Sequence, residues 1–225
     1  MKQEEKVLTE DVVMKLGLDK VDVITSDMLE GYTSIGGSAF CECYSIAHIS
    51  FQNSVKSIGD YVFYDCSSIT YIIIPNSVTS IENSAFSGCS SLTSINLPNS
   101  VTSIGDSAFN RCNKLKSITV GNETYEAQEV VNGKCKAYKA FNADMTCRNF
   151  QYEEGKTYEI DGEPILCLYG FHACLNLKDV FNYYWGKIGK EVVIHEVELE
   201  GVYEGMYEYD SKVVARKITI GKRIL

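Results

Sequence analysis

The sequence has few prolines and no long hydrophobic run. With 3 prolines in 225 residues, 45% hydrophobic and 23% charged residues, it has the composition of a folded chain rather than of a disordered one. No window approaches the roughly 20 apolar residues that a membrane-spanning helix needs. Residues 1–6 also lack the apolar segment of a secretory signal. We therefore expect a cytoplasmic protein with no membrane partner.

Positive charge is also scarce. The chain has 21 Lys and Arg against 30 Asp and Glu, a formal net charge of -9. Residues 1–135 carry 9 basic and 16 acidic side chains, whereas residues 136–225 carry 12 and 14. Non-specific binding to nucleic acid needs clustered positive charge, so direct nucleic-acid binding is not expected. A protein partner with a basic surface is compatible with this charge.

One pattern returns every 23 residues between residues 35 and 122, and this fixed period predicts a solenoid of four similar turns. Within each turn two inward apolar positions stand two residues apart, as Ile49 and Phe51 do, which predicts one short parallel strand per turn. The columns that define the repeat are Ile35, Ile58, Ile81 and Ile104; Phe40, Phe63, Phe86 and Phe109; and Cys43, Cys66, Cys89 and Cys112.

The repeated text, for example SIGDSAFNRCNKLKSITVGN, resembles the BspA-type leucine-rich repeat of bacterial proteins. The resemblance implies a right-handed solenoid of short parallel strands that commonly serves protein–protein recognition. Nine cysteines, an odd number with four in one repeat column, indicate buried reduced thiols rather than a disulfide framework.

The fold class that we predict is α+β: a short leucine-rich-repeat solenoid of four 23-residue repeats, followed by a small α+β domain. Residues 1–34 form an N-terminal helical cap, with a helix between Thr9 and Gly17. Residues 35–122 are the repeats. Residues 123–141 form a β-hairpin connector around Asn132-Gly133, and residues 142–225 form the C-terminal domain.

The outward positions of the repeat strands are candidates for partner binding. Tyr71 and Ile73 are the bulky members and are flanked by His48 and Asn96 on neighbouring strands. The alternative is that neighbouring chain covers them.

The C-terminal sequence, which contains MTCRNFQYEEGKTYE and GFHAC, resembles a domain found in phage and prophage proteins. That resemblance implies a mobile-element context without naming an activity. The residue pattern predicts strands at 156–160, 165–168, 191–199 and 213–220. It also predicts a helix at 177–185 with Asn176 as its N-cap.

The segment around His172 also resembles the core strand and helix of ADP-ribosyltransferases. The resemblance implies that NAD would bind an aromatic-rich cleft, with Arg148 as the partner of His172 and Glu198, or alternatively Glu196 or Glu200, as the carboxylate. A metal site formed by His172, Cys147, Cys167 and Cys174 is the other chemical possibility. Buried structural side chains are the preferred interpretation, so we expect neither a metal nor a cofactor.

Our functional hypothesis is a cytoplasmic protein–protein interaction protein, phage- or prophage-encoded and acting on a host complex. A host nucleoprotein complex is a possible target, as for an inhibitor of a defence or CRISPR complex. Tyr183, Tyr184 and Trp185, at the end of the predicted helix, are further candidates for partner contact. The alternative is an ADP-ribosyltransferase-like enzyme in which the repeats capture the target.

Overall fold

The computed structural model describes residues 6–148, 150–165, 170–182, 192–204 and 211–225. The chain divides into two compact units, residues 1–125 and 126–225, here called the repeat unit and the C-terminal unit.

The repeat unit is built from short strands and one helix. Helix α1 spans Glu10–Lys15, and 3₁₀ turns span Leu18–Lys20 and Ser26–Leu29. The strands are β1 (Val7–Leu8), β2 (Val23–Ile24), β3 (Ser34–Ile35), β4 (His48–Ser50), β5 (Ser57–Ile58), β6 (Tyr71–Ile73), β7 (Ser80–Ile81), β8 (Ser94–Leu97), β9 (Ser103–Ile104), β10 (Ser117–Val120) and β11 (Glu123–Glu126).

Each repeat contributes two strands, where the sequence pattern predicts one. The predicted strands are present as β4, β6, β8 and β10, and Ile49, Phe51, Ile72, Ile74, Ile95 and Leu97 are buried as expected. A second parallel sheet, β1-β3-β5-β7-β9, runs through the Ser-Ile pair that begins each repeat. These strands are two residues long, too short for an alternating pattern to be visible in the sequence.

The prediction that residues 1–34 form a purely helical cap is wrong. Leu8 of β1 pairs in parallel with Ile35, and Ile24 of β2 pairs with Ile49, so the cap adds one strand to each of two sheets. Helix α1 does lie between Thr9 and Gly17, although the Thr9 side chain makes no capping hydrogen bond. The cap therefore covers the first repeat by imitating its backbone, as terminal repeats of solenoids commonly do.

The core of the repeat unit is a stack of phenylalanines beside a row of thiols. Neighbouring rings of Phe40, Phe63, Phe86 and Phe109 are nearly parallel, with centroids 5.4 to 5.5 Å apart. Three of the four thiols donate to a Phe carbonyl 26 residues earlier, as in Cys66 Sγ to Phe40 O at 2.9 Å. The described cysteines are free thiols, and these three thiols link two turns rather than packing within one.

The predicted connector hairpin at 123–141 is wrong, although its turn is right. Asn132 and Gly133 have φ of 52° and 72°, and Val131 and Lys134 form an antiparallel bridge around them. These positive φ values suit Asn and Gly in a tight primed turn. However, β11 lies beside β10, whereas the strand that follows the turn belongs to the sheet of the C-terminal unit.

The C-terminal unit is mainly antiparallel β structure. Its elements are β12 (Lys134–Asn142), β13 (Thr146–Cys147), β14 (Phe150–Gln151), β15 (Thr157–Glu159), β16 (Phe171–Cys174), helix α2 (Leu177–Val180), β17 (Val192–Glu204) and β18 (Lys212–Arg223). Strand β17 pairs with both β12 and β18, and β16 bridges β12 and β18 on the other side. These four strands therefore close on themselves, and β15 adds to β18.

The predicted helix at 177–185 is described only as far as Val180, with turns at 181 and 182. Asn176 is its N-cap, as expected, and accepts a hydrogen bond from Lys178 N at 3.1 Å. Among the described residues after 125, α2 is the only helix, so β structure dominates this unit. The expected strands at 156–160, 191–199 and 213–220 correspond to β15, β17 and β18, whereas residues 166–169 lie outside the described ranges.

Candidate functional site

The outward side chains of β2, β4 and β6 form a surface here called the ledge. Val23, His48 and Tyr71 lie in register across the three strands, and Ser50 lies beside Ile73. Tyr71 and Ile73 are 53% and 47% exposed, so no described chain covers them. The prediction of their outward orientation is confirmed.

Asn96 lies in a different hydrogen-bonded ladder from the other ledge candidates. It is exposed on β8 and pairs with Thr119 of β10, in the three-stranded sheet β8-β10-β11. The single four-strand surface expected from the repeat is therefore divided into two three-stranded pieces, of which only the first carries large apolar side chains outward.

A cavity of about 740 Å³ lies within the C-terminal unit. Basic side chains from four different segments line it: Lys139 of β12, Arg148 between β13 and β14, His172 of β16 and Lys212 of β18. Glu159 is the one acidic residue among the described lining residues. The Glu159 carboxylate faces the Arg216 guanidinium at 3.9 Å.

His172 and Arg148 are thus brought together in one cavity, as the ADP-ribosyltransferase resemblance implied. Burial, together with the positive charges of Lys139, Arg148 and Lys212, lowers the pKa of His172 to about 4, and a hydrogen bond with the Gly170 backbone opposes this shift. His172 is therefore neutral at neutral pH. Its imidazole contributes hydrogen-bonding groups to the cavity and not a charge.

Lys139 is the buried basic residue among those that line the cavity. Its side chain is 5% exposed, and its Nζ donates to the His172 carbonyl at 2.8 Å and lies 5.5 Å from the centre of the Phe141 ring. Burial lowers the Lys139 pKa because it removes water from the ammonium, and the charge of Arg148 adds to this effect. Interactions with Cys147 and Cys174, including a hydrogen bond with the Cys147 side chain, oppose it.

One wall of the cavity is aromatic. The rings of Phe150, Tyr152 and Tyr158 pack against one another with centroids 4.7 to 5.3 Å apart. Tyr152 is buried and also contacts Phe171, whereas Phe150 is 46% exposed. The wall therefore combines a fixed interior ring with one ring that is accessible.

The carboxylate assigned to the enzyme hypothesis is in the wrong place. Glu198 is exposed on β17 opposite Lys136, and it does not line the cavity. Val197 and Leu199, its neighbours in the chain, belong to the core, so strand alternation turns Glu198 away from it. Glu196 and Glu200 share the Glu198 face, where Glu200 pairs with Lys134 at 2.8 Å.

The metal hypothesis involves the same region. Among the described residues no group of three or more His, Cys, Asp or Glu side chains could hold a metal ion. Cys167, one of the four ligands considered, lies outside the described ranges, as do Tyr183, Tyr184 and Trp185.

Lys139, Phe150 and Lys212 line the cavity but are not predicted as site residues from the sequence. A signal for Lys139 exists: it stands in the apolar run Ala-Tyr-Lys-Ala-Phe, where both faces of β12 are buried. The ammonium of a lysine at such a position must lie in a polar site, because a buried charge without partners is costly. Phe150 and Lys212 carry no local signal, because their role depends on strand pairing.

The stacked parallel strands of the repeat unit define a leucine-rich-repeat-type solenoid. Residues 20–139 match the model of the BspA type leucine rich repeat region in six copies, and the chain belongs to this family. The repeats point to protein–protein interaction. Residues 135–225 match a domain of unknown function (DUF7666).

Several solved structures resemble part of the chain. The pneumococcal vaccine antigen PcpA is 27% identical over 45% of this chain and 24% of its own, with a TM-score of 0.42. A leucine-rich repeat protein from Bacteroides ovatus is 35% identical over 46% and 26%, with a TM-score of 0.41. The T. pallidum leucine-rich repeat protein is 26% identical over 44% and 58%, with a TM-score of 0.38.

The chain thus spans about a quarter of the length of the first two of these proteins. No curated protein sequence matches it. In the part of the chain that the structure describes, no helix is long and apolar enough to cross a membrane.

Proposed function

We propose that this chain is a cytoplasmic protein-binding protein, encoded by a phage or prophage, that acts on a host complex such as a defence or CRISPR nucleoprotein complex. The observation that carries the binding function is the ledge, where Tyr71 and Ile73 project two residues apart from one strand and are both about half exposed. Large apolar side chains held on a rigid sheet lose little conformational entropy when they are buried by a partner.

The partner that fits the ledge is a protein surface with an apolar pocket and a basic rim. Residues 1–125 carry 8 Lys and Arg against 14 Asp and Glu, so electrostatic complementarity favours a positively charged rim. The phage context is supported by the resemblance of the C-terminal segment described above, whereas the host target rests on analogy with small phage proteins that act on host machinery.

The test is affinity capture from a host lysate with the full chain as bait. We expect Tyr71→Ala combined with Ile73→Ala to reduce the captured partner at least tenfold, while the free energy of unfolding changes by less than about 0.5 kcal/mol, as for other exposed side chains. Tyr44→Ala is the matched control, because Tyr44 lies outside the ledge and is 56% exposed. Equal capture by the double variant and the parent would exclude the ledge as the contact.

ADP-ribosyl transfer is the second candidate, favoured by the presence of His172 and Arg148 in one cavity. Glu198 does not support it, so another carboxylate would have to orient the ribose; Glu159 is the lining residue of that type. Transfer of label from NAD to a lysate protein, lost in His172→Ala, would replace binding as the primary function.

A further inference from the structure

We propose that the cavity of the C-terminal unit is a binding site for a nucleoside phosphate, with Arg148 and Lys139 contacting the phosphate and Phe150 stacking on the base. This proposal does not depend on the ledge, nor does it require that the chain catalyse a reaction.

The charge of the cavity favours an anion. The protein as a whole is acidic, at -9, yet the described residues that line this cavity include Lys139, Arg148 and Lys212 and only one carboxylate. That carboxylate, on Glu159, faces Arg216. Three cationic side chains converging from separate strands and a turn create a positive local potential, which attracts anions into a low-dielectric site.

Lys139 is a buried basic residue without a described carboxylate partner. Its Nζ donates to the His172 carbonyl at 2.8 Å and is hydrogen-bonded with the Cys147 side chain, a thiol that is a weaker partner than a carboxylate. A buried ammonium is costly unless it is paired. A phosphate in the cavity would supply the partner and would offer Arg148 a bidentate acceptor.

Arg148 lies in the tight turn that joins β13 to β14. Its φ of 48° is in the left-handed region, which a tight primed hairpin turn requires. The guanidinium forms no ion pair with a described carboxylate and is therefore available to a ligand.

The aromatic wall favours a ligand with a planar ring. Phe150 is 46% exposed, and its ring contacts the rings of Tyr152 and Tyr158 at 4.7 and 5.3 Å between centroids, in tilted and edge-on arrangements. A ring fixed in this way can stack on a nucleobase, an interaction worth about 1–3 kcal/mol per base. A simple anion would leave this wall unused.

Size agrees with the same ligand class. A volume of about 740 Å³ lies within the range of about 300–1,000 Å³ for small-molecule sites. This cavity volume is many times the volume that a water molecule or a single inorganic anion occupies. A mononucleotide would fill the space between the basic side chains of the cavity and its aromatic wall.

The experiment is isothermal titration calorimetry of the full chain with ADP, UDP, adenosine and inorganic phosphate. We expect saturable binding of at least one nucleotide, and at least tenfold weaker binding of adenosine and phosphate, since each retains only half of the contacts. Absence of binding by both nucleotides at millimolar concentration would overturn the proposal, as would phosphate binding as tightly as ADP and UDP.

Variants locate the site. Arg148→Gln and Phe150→Leu alter exposed side chains, so the fold is retained, and each should weaken nucleotide binding about tenfold or more. Lys136→Gln is the charge control, because Lys136 is exposed on the same β12 strand as Lys139 and does not line the cavity. Equal affinity of the parent and both cavity variants, or equal loss in Lys136→Gln, would place the nucleotide elsewhere and refute the assignment.

Discussion

The two units bury different kinds of polar group. Among the described residues, the buried polar side chains of the repeat unit are Ser87 and Ser103, whereas those of the C-terminal unit include Lys139, Asp179 and His195. A repeated position must suit every turn, and a charge placed there would have to be compensated in each turn. The irregular unit can bury one charge at one place and build a site around it.

This difference decides where each unit can carry function. In the repeat unit burial raises the thiol pKa values, that of Cys43 to about 11, so the cysteines stay protonated and structural. Its variable side chains are on the outside, as at the ledge. In the C-terminal unit the charged and polar side chains of the candidate site point inward, and that site is a cavity.

The stacked phenylalanines provide the largest expected effect. Phe86→Ala removes a fully buried ring that stacks on Phe63 and on Phe109, so we expect a loss of about 3–5 kcal/mol in the free energy of unfolding. Chemical denaturation followed by circular dichroism measures this loss.

Phe150→Ala is the matched control in the C-terminal unit. Because Phe150 is 46% exposed, its removal should cost about 1 kcal/mol or less. If the two substitutions were equally costly, the contrast between a structural column in one unit and an accessible ring in the other would not hold.

Acid should destabilise the C-terminal unit through His172. Its pKa is about 4 in the folded protein and about 6.5 in an unfolded chain, so between these values the unfolded state binds more protons. The stabilisation is present in full above pH 6.5 and is lost as the pH falls towards 4. The pKa difference of about 2.5 corresponds to at most about 3.4 kcal/mol for this one group, and solvent screening of the half-buried ring reduces the loss below that limit.

His172→Gln should flatten that part of the stability profile, measured by denaturant titration at several pH values. His48→Gln, at an exposed histidine of the ledge, is the control and should leave the profile as in the parent. An unchanged slope between pH 4 and 6.5 in His172→Gln would show that His172 is hydrated in the folded protein.

The same contrast explains what could be predicted from the sequence. The inward columns of the solenoid were predictable, because each appears four times and chance does not repeat at a fixed period. The turn at Asn132-Gly133 was also predictable, since it depends on two local φ preferences. The pairing partners of the strands on either side of that turn were not predictable, because β12 pairs with β16 and β17, which lie far along the chain.

The candidate site shows the same limit. The segment around His172 drew attention as a motif, and the structure places it beside Arg148. The ADP-ribosyltransferase resemblance implies a carboxylate on a later strand, for which Glu198 is the candidate, but one step of strand alternation turns Glu198 away from the core. Lys139, which shapes the charge of the cavity, stood in a segment predicted as a connector.

A smaller effect tests whether the thiols of the repeat unit hold neighbouring turns together. Cys89 Sγ donates to Phe63 O at 3.3 Å, so Cys89→Ala loses a weak hydrogen bond between turns and a buried sulfur atom. We expect a cost of about 1–2 kcal/mol, measured by chemical denaturation. Cys41→Ala, at a partly exposed cysteine of the same unit, is the control and should cost less than about 0.5 kcal/mol. Equal costs would mean that neither the packing nor the hydrogen bonds of the thiol column stabilise the stack, and the repeat unit would then depend on its phenylalanines and strand pairs to hold one turn against the next.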